Sequence, residues 1–146
     1  MKLTQHFSLE ELISSEVAMR RGLDNTPGPE QANNLLILAT ALEQVRSLLG
    51  QPIYITSGFR SQEVNRALGS SPQSHHCQGL AADFVCPGFG APRVVCSAIR
   101  DSEIQFNQLI YEGNWTHFSV AEPRYRRSIL TARFTKDGVR YMEGIA

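Results

Sequence analysis

The chain has 146 residues, with 14 basic and 14 acidic side chains and a formal net charge of zero. A chain of this length buries roughly two-thirds of the surface its unfolded form exposes, so a single domain over residues 1–146 can hold its own core without staples. The balanced charge excludes a general polyanion binder, so no nucleic-acid partner is expected, and no apolar run approaches the ~20 residues that membrane insertion requires.

The chain begins with helices, expected over about residues 1–50. Phe7-Ser8-Leu9-Glu10-Glu11-Leu12 carries a capping box, with Ser8 at the N-cap, Glu11 three residues on, and Phe7 and Leu12 placed as a hydrophobic staple. Pro29 opens a longer helix that runs to about Leu49 and closes at Gly50. Leu35, Leu38, Leu42, Val45 and Leu49 recur at helical spacing as its buried stripe.

A second part, about residues 51–146, alternates strands with short helices. Pro52 to Thr56 reads as a strand, Ser61 to Leu68 as a helix capped by Ser61, Gly69 to Gln78 as a polar loop and Gly79 to Val85 as a strand. A turn-rich link from Pro87 to Pro92 leads into a helix from about Ala91 to Ser102. The last third predicts antiparallel strands over Gln108 to Glu112, Trp115 to Val120, about Ile129 to Phe134 and Val139 to Met142, the last two joined at Asp137-Gly138. Helices first and strands later predict an α+β domain, an antiparallel sheet with helices packed on one side.

Ser74-x-His76-x-x-Gly79-x-Ala81-Ala82-Asp83, followed by Trp115-Thr116-His117, is the stretch that carries chemistry. It offers two imidazoles and one carboxylate from a loop and two strands. Three nitrogen and oxygen ligands leave an open position, which separates a catalytic zinc site from a closed structural one. Asp83 stands in the apolar run from Ala81 to Val85, where an ionised carboxylate is costly unless it is paired or binds a metal. An ion pair with an Arg is the alternative; the presence of His76 and His117 favours a Zn2+ site made by His76, Asp83 and His117.

The hairpin around Gly113-Asn114 makes a geometric prediction. If those two residues form the turn, Glu112 pairs with Trp115 and Ile110 with His117. Glu112 and His117 then share one face as diagonal neighbours, about 7–8 Å apart at the backbone. Thr116, Phe118 and Val120 face the other way, into the core.

Further stretches fall in a familiar order. Leu3 to Leu12 and Asp24-Asn25-Thr26-Pro27 come first, then Ile55-Thr56-Ser57-Gly58-Phe59-Arg60-Ser61, Asn65 and the Ser74 to Asp83 signature. Together they resemble the zinc D-alanyl-D-alanine carboxypeptidase family of peptidoglycan peptidases, which includes short phage and prophage members. The resemblance implies the zinc DD-peptidase (hedgehog-like) fold and hydrolysis of peptide bonds in peptidoglycan stem peptides, by a D,D-carboxypeptidase or an endopeptidase. It also implies roles for single residues. Glu112 resembles the acidic residue before the family's final W-x-H segment and would be the acid/base. Some relatives place that acid three residues before the His, where this chain has Asn114, which cannot serve as a base. Arg60 would line the pocket and meet the carbonyl oxygen or the substrate, and Ser74 would donate a hydrogen bond near the site or cap its loop.

Competing readings are a zinc-containing wall-binding or phage structural module without turnover, and cysteine-dependent hydrolysis through Cys77. Cys77, Cys86 and Cys96 are odd in number and lack a C-x-x-C spacing, which argues against a disulfide framework. His75 neighbours the signature His, and His6 has no partner motif. Arg124, Arg126 and Arg127 form a small basic cluster, read either as a solvated loop or as an anion site. No apolar leader is visible, so synthesis in the cytoplasm is expected, with action on the cell wall only after release or delivery by other proteins; a monomer is expected as well.

Overall fold

A computed structural model describes residues 1–120 and 126–146. Its first helix, α1 (Leu9–Ile13), starts where the capping box is expected. The Ser8 hydroxyl accepts from the Glu11 N–H at 3.2 Å, and the Glu11 carboxylate accepts from the Ser8 N–H at 2.8 Å. Phe7 and Leu12 are both buried beside it. Ser14 is extended and Ser15 caps a separate helix, α2 (Glu16–Arg21), which the sequence pattern did not divide from α1.

Helix α3 (Pro29–Leu49) has the predicted bounds. Gly50 closes it at φ +65°, its N–H donating to the Arg46 carbonyl at 2.8 Å, a conformation open to glycine without a Cβ penalty. Leu35, Leu38, Leu42, Val45 and Leu49 are all buried. Two more helices, α4 (Gln62–Ala67) and α5 (Pro92–Arg100), and a 3-10 turn over His75–Gln78 complete the helical elements among the described residues.

Six strands form one sheet: β1 (Tyr54–Ser57), β2 (Ala81–Val85), β3 (Gln108–Tyr111), β4 (Thr116–Ser119), β5 (Ser128–Thr135) and β6 (Gly138–Glu143), in the order β1-β2-β4-β3-β5-β6. Four of the pairings are antiparallel, as expected. The fifth, β3 with β5, is parallel and makes the sheet mixed. The reason lies at Gln108, which pairs with Ser119 at the end of β4 and with Ser128 at the start of β5. The chain therefore leaves β4 beside the start of β3 and re-enters on the far side in the direction of β3. A tight hairpin could not make that connection.

Alternation along the strands divides the sheet into two faces. One presents Ala82, Phe84, Leu109 and Phe118 to the core, where they meet Leu35, Leu38 and Leu42 of α3 and Val95 and Ile99 of α5. Helices thus cover this face, and the opposite face is left for Asp83, His117 and Ile110, which are register partners across β2, β4 and β3.

The basic cluster separates into different jobs. The Arg127 guanidinium donates to the carbonyls of Ile104 and Ser102 at 3.1 and 3.0 Å and lies 4.6 Å over the Phe106 ring. It also reaches the carbonyls of Ile99 and Arg100 at 3.4 Å, so it satisfies the open end of α5. Arg126 turns towards the site, and Arg124 lies outside the described residues. No helix among the described residues is long and apolar enough to cross a membrane.

Two substitutions test this framework by thermal unfolding. Ser8→Ala removes a cap and should cost about 0.5–2 kcal/mol. Leu42→Ala empties a fully buried position on α3 and should cost about 2–5 kcal/mol, so a variant melting like the parent would place the buried stripe on the wrong face.

Candidate metal centre

Three ligating side chains from separate parts of the chain meet on the open face of the sheet. Asp83 comes from the middle of β2, His117 from its register partner in β4, and His76 from the 3-10 turn just before β2. Their candidate ligand atoms all lie within 4.8 Å of one another. The His117 Nδ1 is 2.9 Å and the His76 Nε2 3.4 Å from the same Asp83 carboxylate oxygen, Oδ1. The two imidazole rings stand edge to face, with centroids 5.2 Å apart.

The remaining ring nitrogen of His76 is spoken for. Its Nδ1 lies 2.8 Å from the Gly58 carbonyl oxygen, a bond that fixes the ring and leaves Nε2 facing Asp83. A backbone carbonyl on the far nitrogen is how metal-binding histidines are usually oriented. Gly58 is itself held tightly. The adjacent Phe59 N–H donates to the Leu12 carbonyl at 2.7 Å, and a Cβ on Gly58 would overlap that same carbonyl oxygen. Asn25 clamps the segment from the side, its amide donating to the carbonyls of Ile13 and Phe59 at 2.7 and 3.1 Å, while its Oδ1 accepts from the Ser61 N–H at 2.7 Å.

Electrostatics fit a cation at this point. Burial pushes the Asp83 carboxyl up, yet hydrogen bonds from His117 and His76 more than offset it and bring the group well below the ordinary carboxylate range. Burial pushes the His76 pKa down, and the hydrogen bond and charge of Asp83 draw it back up. Two imidazole nitrogens and a carboxylate oxygen, converging with one side open to a cleft, suit Zn2+.

The cleft has a volume of about 610 Å³ and gathers most of the residues singled out in the sequence. Glu112 sits where the hairpin argument puts it: Ile110 pairs with His117, and the Glu112 N–H donates to the Trp115 carbonyl at 3.1 Å. The Trp115 indole N–H donates to Glu112 Oε2 at 2.7 Å and holds that carboxylate in the cleft wall. Burial, then the neighbouring Asp83 charge, raises the Glu112 pKa, while His117, the Trp115 hydrogen bond and Arg60 draw it back.

Arg60 lines the same cleft after β1. Burial lowers its pKa, and the charges of Asp83, Cys77 and Glu112 oppose that shift. Its Nε is buried without a hydrogen-bond partner among the described residues, so the fold alone does not account for that group. The Ser74 hydroxyl accepts from the His76 N–H at 3.2 Å, which caps the 3-10 turn, and its side chain still borders the cleft.

Other candidates fall outside the cluster. His75 lines the cleft 3.4 Å from the Asn107 amide, separate from the three converging groups. His6 pairs with Glu43 of α3 at 2.8 Å. Cys77 is buried, its thiol pushed up by burial, and it does not border the cleft. That placement does not favour a thiolate nucleophile.

Several participants carried no separate signal in the sequence. Asn107 is buried behind the cleft-lining Arg126, its Oδ1 accepting from Arg126 Nε at 2.9 Å. Tyr141 and Val139 of β6 supply part of the wall. Asn25, by contrast, lies in the Asp24 to Pro27 stretch that already stood out.

An open His-Asp-His cluster with a carboxylate and a guanidinium in one cleft defines a metal-dependent hydrolase type of centre. Residues 5–119 match the Peptidase M15 family, and the chain belongs to it. Peptidases of that family are zinc-dependent, which supports a zinc metallopeptidase here. No curated protein matches the chain.

Replacing His76, Asp83 or His117 by Ala should abolish stoichiometric zinc binding, measured by metal analysis after dialysis. Gly58→Ala should keep the three ligands yet weaken zinc affinity by roughly 10–100-fold in a chelator competition, because it displaces the carbonyl that orients His76. Full zinc occupancy in His117→Ala would remove that residue from the ligand set.

Proposed function

We propose that this protein is a zinc-dependent peptidase of peptidoglycan stem peptides, a D,D-carboxypeptidase or endopeptidase of the phage or prophage lysin kind. The observation that carries the reading is that Glu112 and Arg60 open onto the same cleft as the His76–Asp83–His117 cluster. The substrate class is supported by the resemblance of the Ser57 to Ser61 and Ser74 to Asp83 stretches to zinc D-alanyl-D-alanine carboxypeptidases. A cleft of about 610 Å³ that is open along the sheet has room for a short extended peptide.

His76, Asp83 and His117 would hold the metal. Bound zinc would polarise the scissile carbonyl and make water nucleophilic near neutral pH. Glu112, with Oε2 fixed by Trp115, takes a proton from the attacking water and passes it to the leaving amine nitrogen. The Arg60 guanidinium meets the negative charge that develops on the carbonyl oxygen, an effect typically worth about 10²–10³ in rate. Ser74 holds the backbone of His76 at the mouth of the cleft and is the further substrate-contacting residue on that side.

The decisive experiment is mass spectrometry of peptidoglycan digested by the zinc-loaded protein, with and without chelator. Chelator-sensitive release of D-alanine or of cleaved cross-links is expected. Glu112→Gln should keep zinc and lose turnover by about 10²-fold or more, and Arg60→Ala should behave similarly. A zinc-loaded parent that binds wall peptides but cleaves none would favour a binding module without turnover.

A second measurement follows from the burial of Glu112. In the metal-free protein its carboxyl should titrate above the ordinary value of 4.5, read by NMR of labelled glutamate, and zinc loading should draw it down again. A titration at the ordinary value without metal would mean that Glu112 is solvated and not poised over the site.

A further inference from the structure

The match to the family ends at residue 119, yet Arg126, Val139 and Tyr141 in the cleft wall come from beyond it. Tyr141 stands out among them. It belongs to β6, the outermost strand, all six residues of which are exposed, so core packing does not call for an aromatic there. Its position across the sheet is well defined by register. Ile110 pairs with Leu130 in the parallel ladder, so one step further on Glu112 stands beside Ala132, whose partner is Tyr141. Leu130 lies on the row of Asp83, His117 and Ile110, and alternation puts Ala132 and Tyr141 on that same face.

Tyr141 and Glu112 are therefore separated by two strand spacings, about 10 Å at the backbone. In the ladder Ala132 occupies the position between them. Both side chains border the same cleft. Partial desolvation, then the charges of Glu112 and Asp83, raises the phenol pKa above its ordinary value, and a phenol is already a hydrogen-bond donor in the neutral range. No hydrogen bond among the described residues uses that hydroxyl. Arg60 follows β1 at one edge of the sheet and Tyr141 lies on β6 at the other, so the two donors flank the metal cluster and Glu112 from opposite sides.

We propose that the Tyr141 phenol is a catalytic residue of this cleft, donating a hydrogen bond to the scissile carbonyl oxygen of the bound peptide as negative charge builds on it. The proposal rests on the peptidase reading above and adds a contributor from the β5–β6 hairpin. It assigns to the segment after residue 119 a part in the chemistry as well as in the walls of the cleft.

Tyr141→Phe keeps the ring and the strand and removes only the hydroxyl. In the zinc-loaded protein, kcat on a stem peptide ending in D-alanyl-D-alanine should fall by about 10²-fold, with KM and zinc content unchanged. Affinity for a phosphinate analogue of the same dipeptide, measured by calorimetry, should fall in parallel, while affinity for the cleavage product holds. Met142→Ala, on the opposite face of the same strand, should leave all of these values as in the parent. An active parent with an equally active Tyr141→Phe variant, or a rise in KM with kcat intact, would overturn this assignment alone. A parent that neither cleaves the peptide nor binds the phosphinate would overturn the peptidase reading and this inference with it.

Discussion

Asp83 carries an ionised carboxylate in the middle of a strand whose neighbours Ala82 and Phe84 are fully buried. Such a charge is tolerated only when its oxygens are occupied, and here both imidazoles lean on Oδ1. Taking away one partner would leave a buried carboxylate oxygen short of a partner, a loss larger than the gain from the hydrogen bond itself. The need to bring His76 and His117 to this one oxygen explains the placement of much else. β4 must lie beside β2 in the register that sets His117 opposite Asp83, and the turn before β2 must fold back so that His76 arrives from above.

That second requirement reaches deep into the helical part. His76 is aimed by the Gly58 carbonyl, Gly58 is pressed against the end of α1, and Asn25 ties the loop after α2 to the backbone of Phe59 and Ser61. The capping box of α1 and the buried stripe of α3 thus do more than stabilise helices. They hold the floor on which the ligand geometry is set. A rigid support of this kind matters because ligand placement tolerates errors of only about 0.5 Å before a metal site loosens.

Around the cluster the charged groups share a cleft without pairing. Glu112 has one oxygen engaged by Trp115 and a carboxyl raised by burial, and Arg60 keeps a buried Nε that no described residue satisfies. Neither forms an ion pair with the other among the described residues. A site that left a carboxylate and a guanidinium in one cleft for structural reasons alone would gain by letting them meet. Their separation on either side of Asp83 and His117 supports the roles proposed for the two groups.

Much of this was open to reading in the amino-acid order, because it depends on neighbours along the chain. Ser8 and Glu11 announce a capping box, the Leu35 to Leu49 spacing a buried helix face, and Gly113-Asn114 a hairpin whose period of two sends Glu112 and His117 to one side. The spacing of Ser74, His76 and Asp83 works in the same way, since a turn and a strand leave few places for those atoms to go. What the tertiary structure decided are contacts between segments far apart in sequence, which have no period to betray them. The parallel pairing of β3 with β5 is one, and together with the β5–β6 ladder it sets Tyr141 beyond Ala132 on the row of Glu112. The aim of the Gly58 carbonyl at His76, and the junction of Asn107 with Arg126, are others. A local pattern tells which face a residue takes; only the closing of the sheet determines what that face meets.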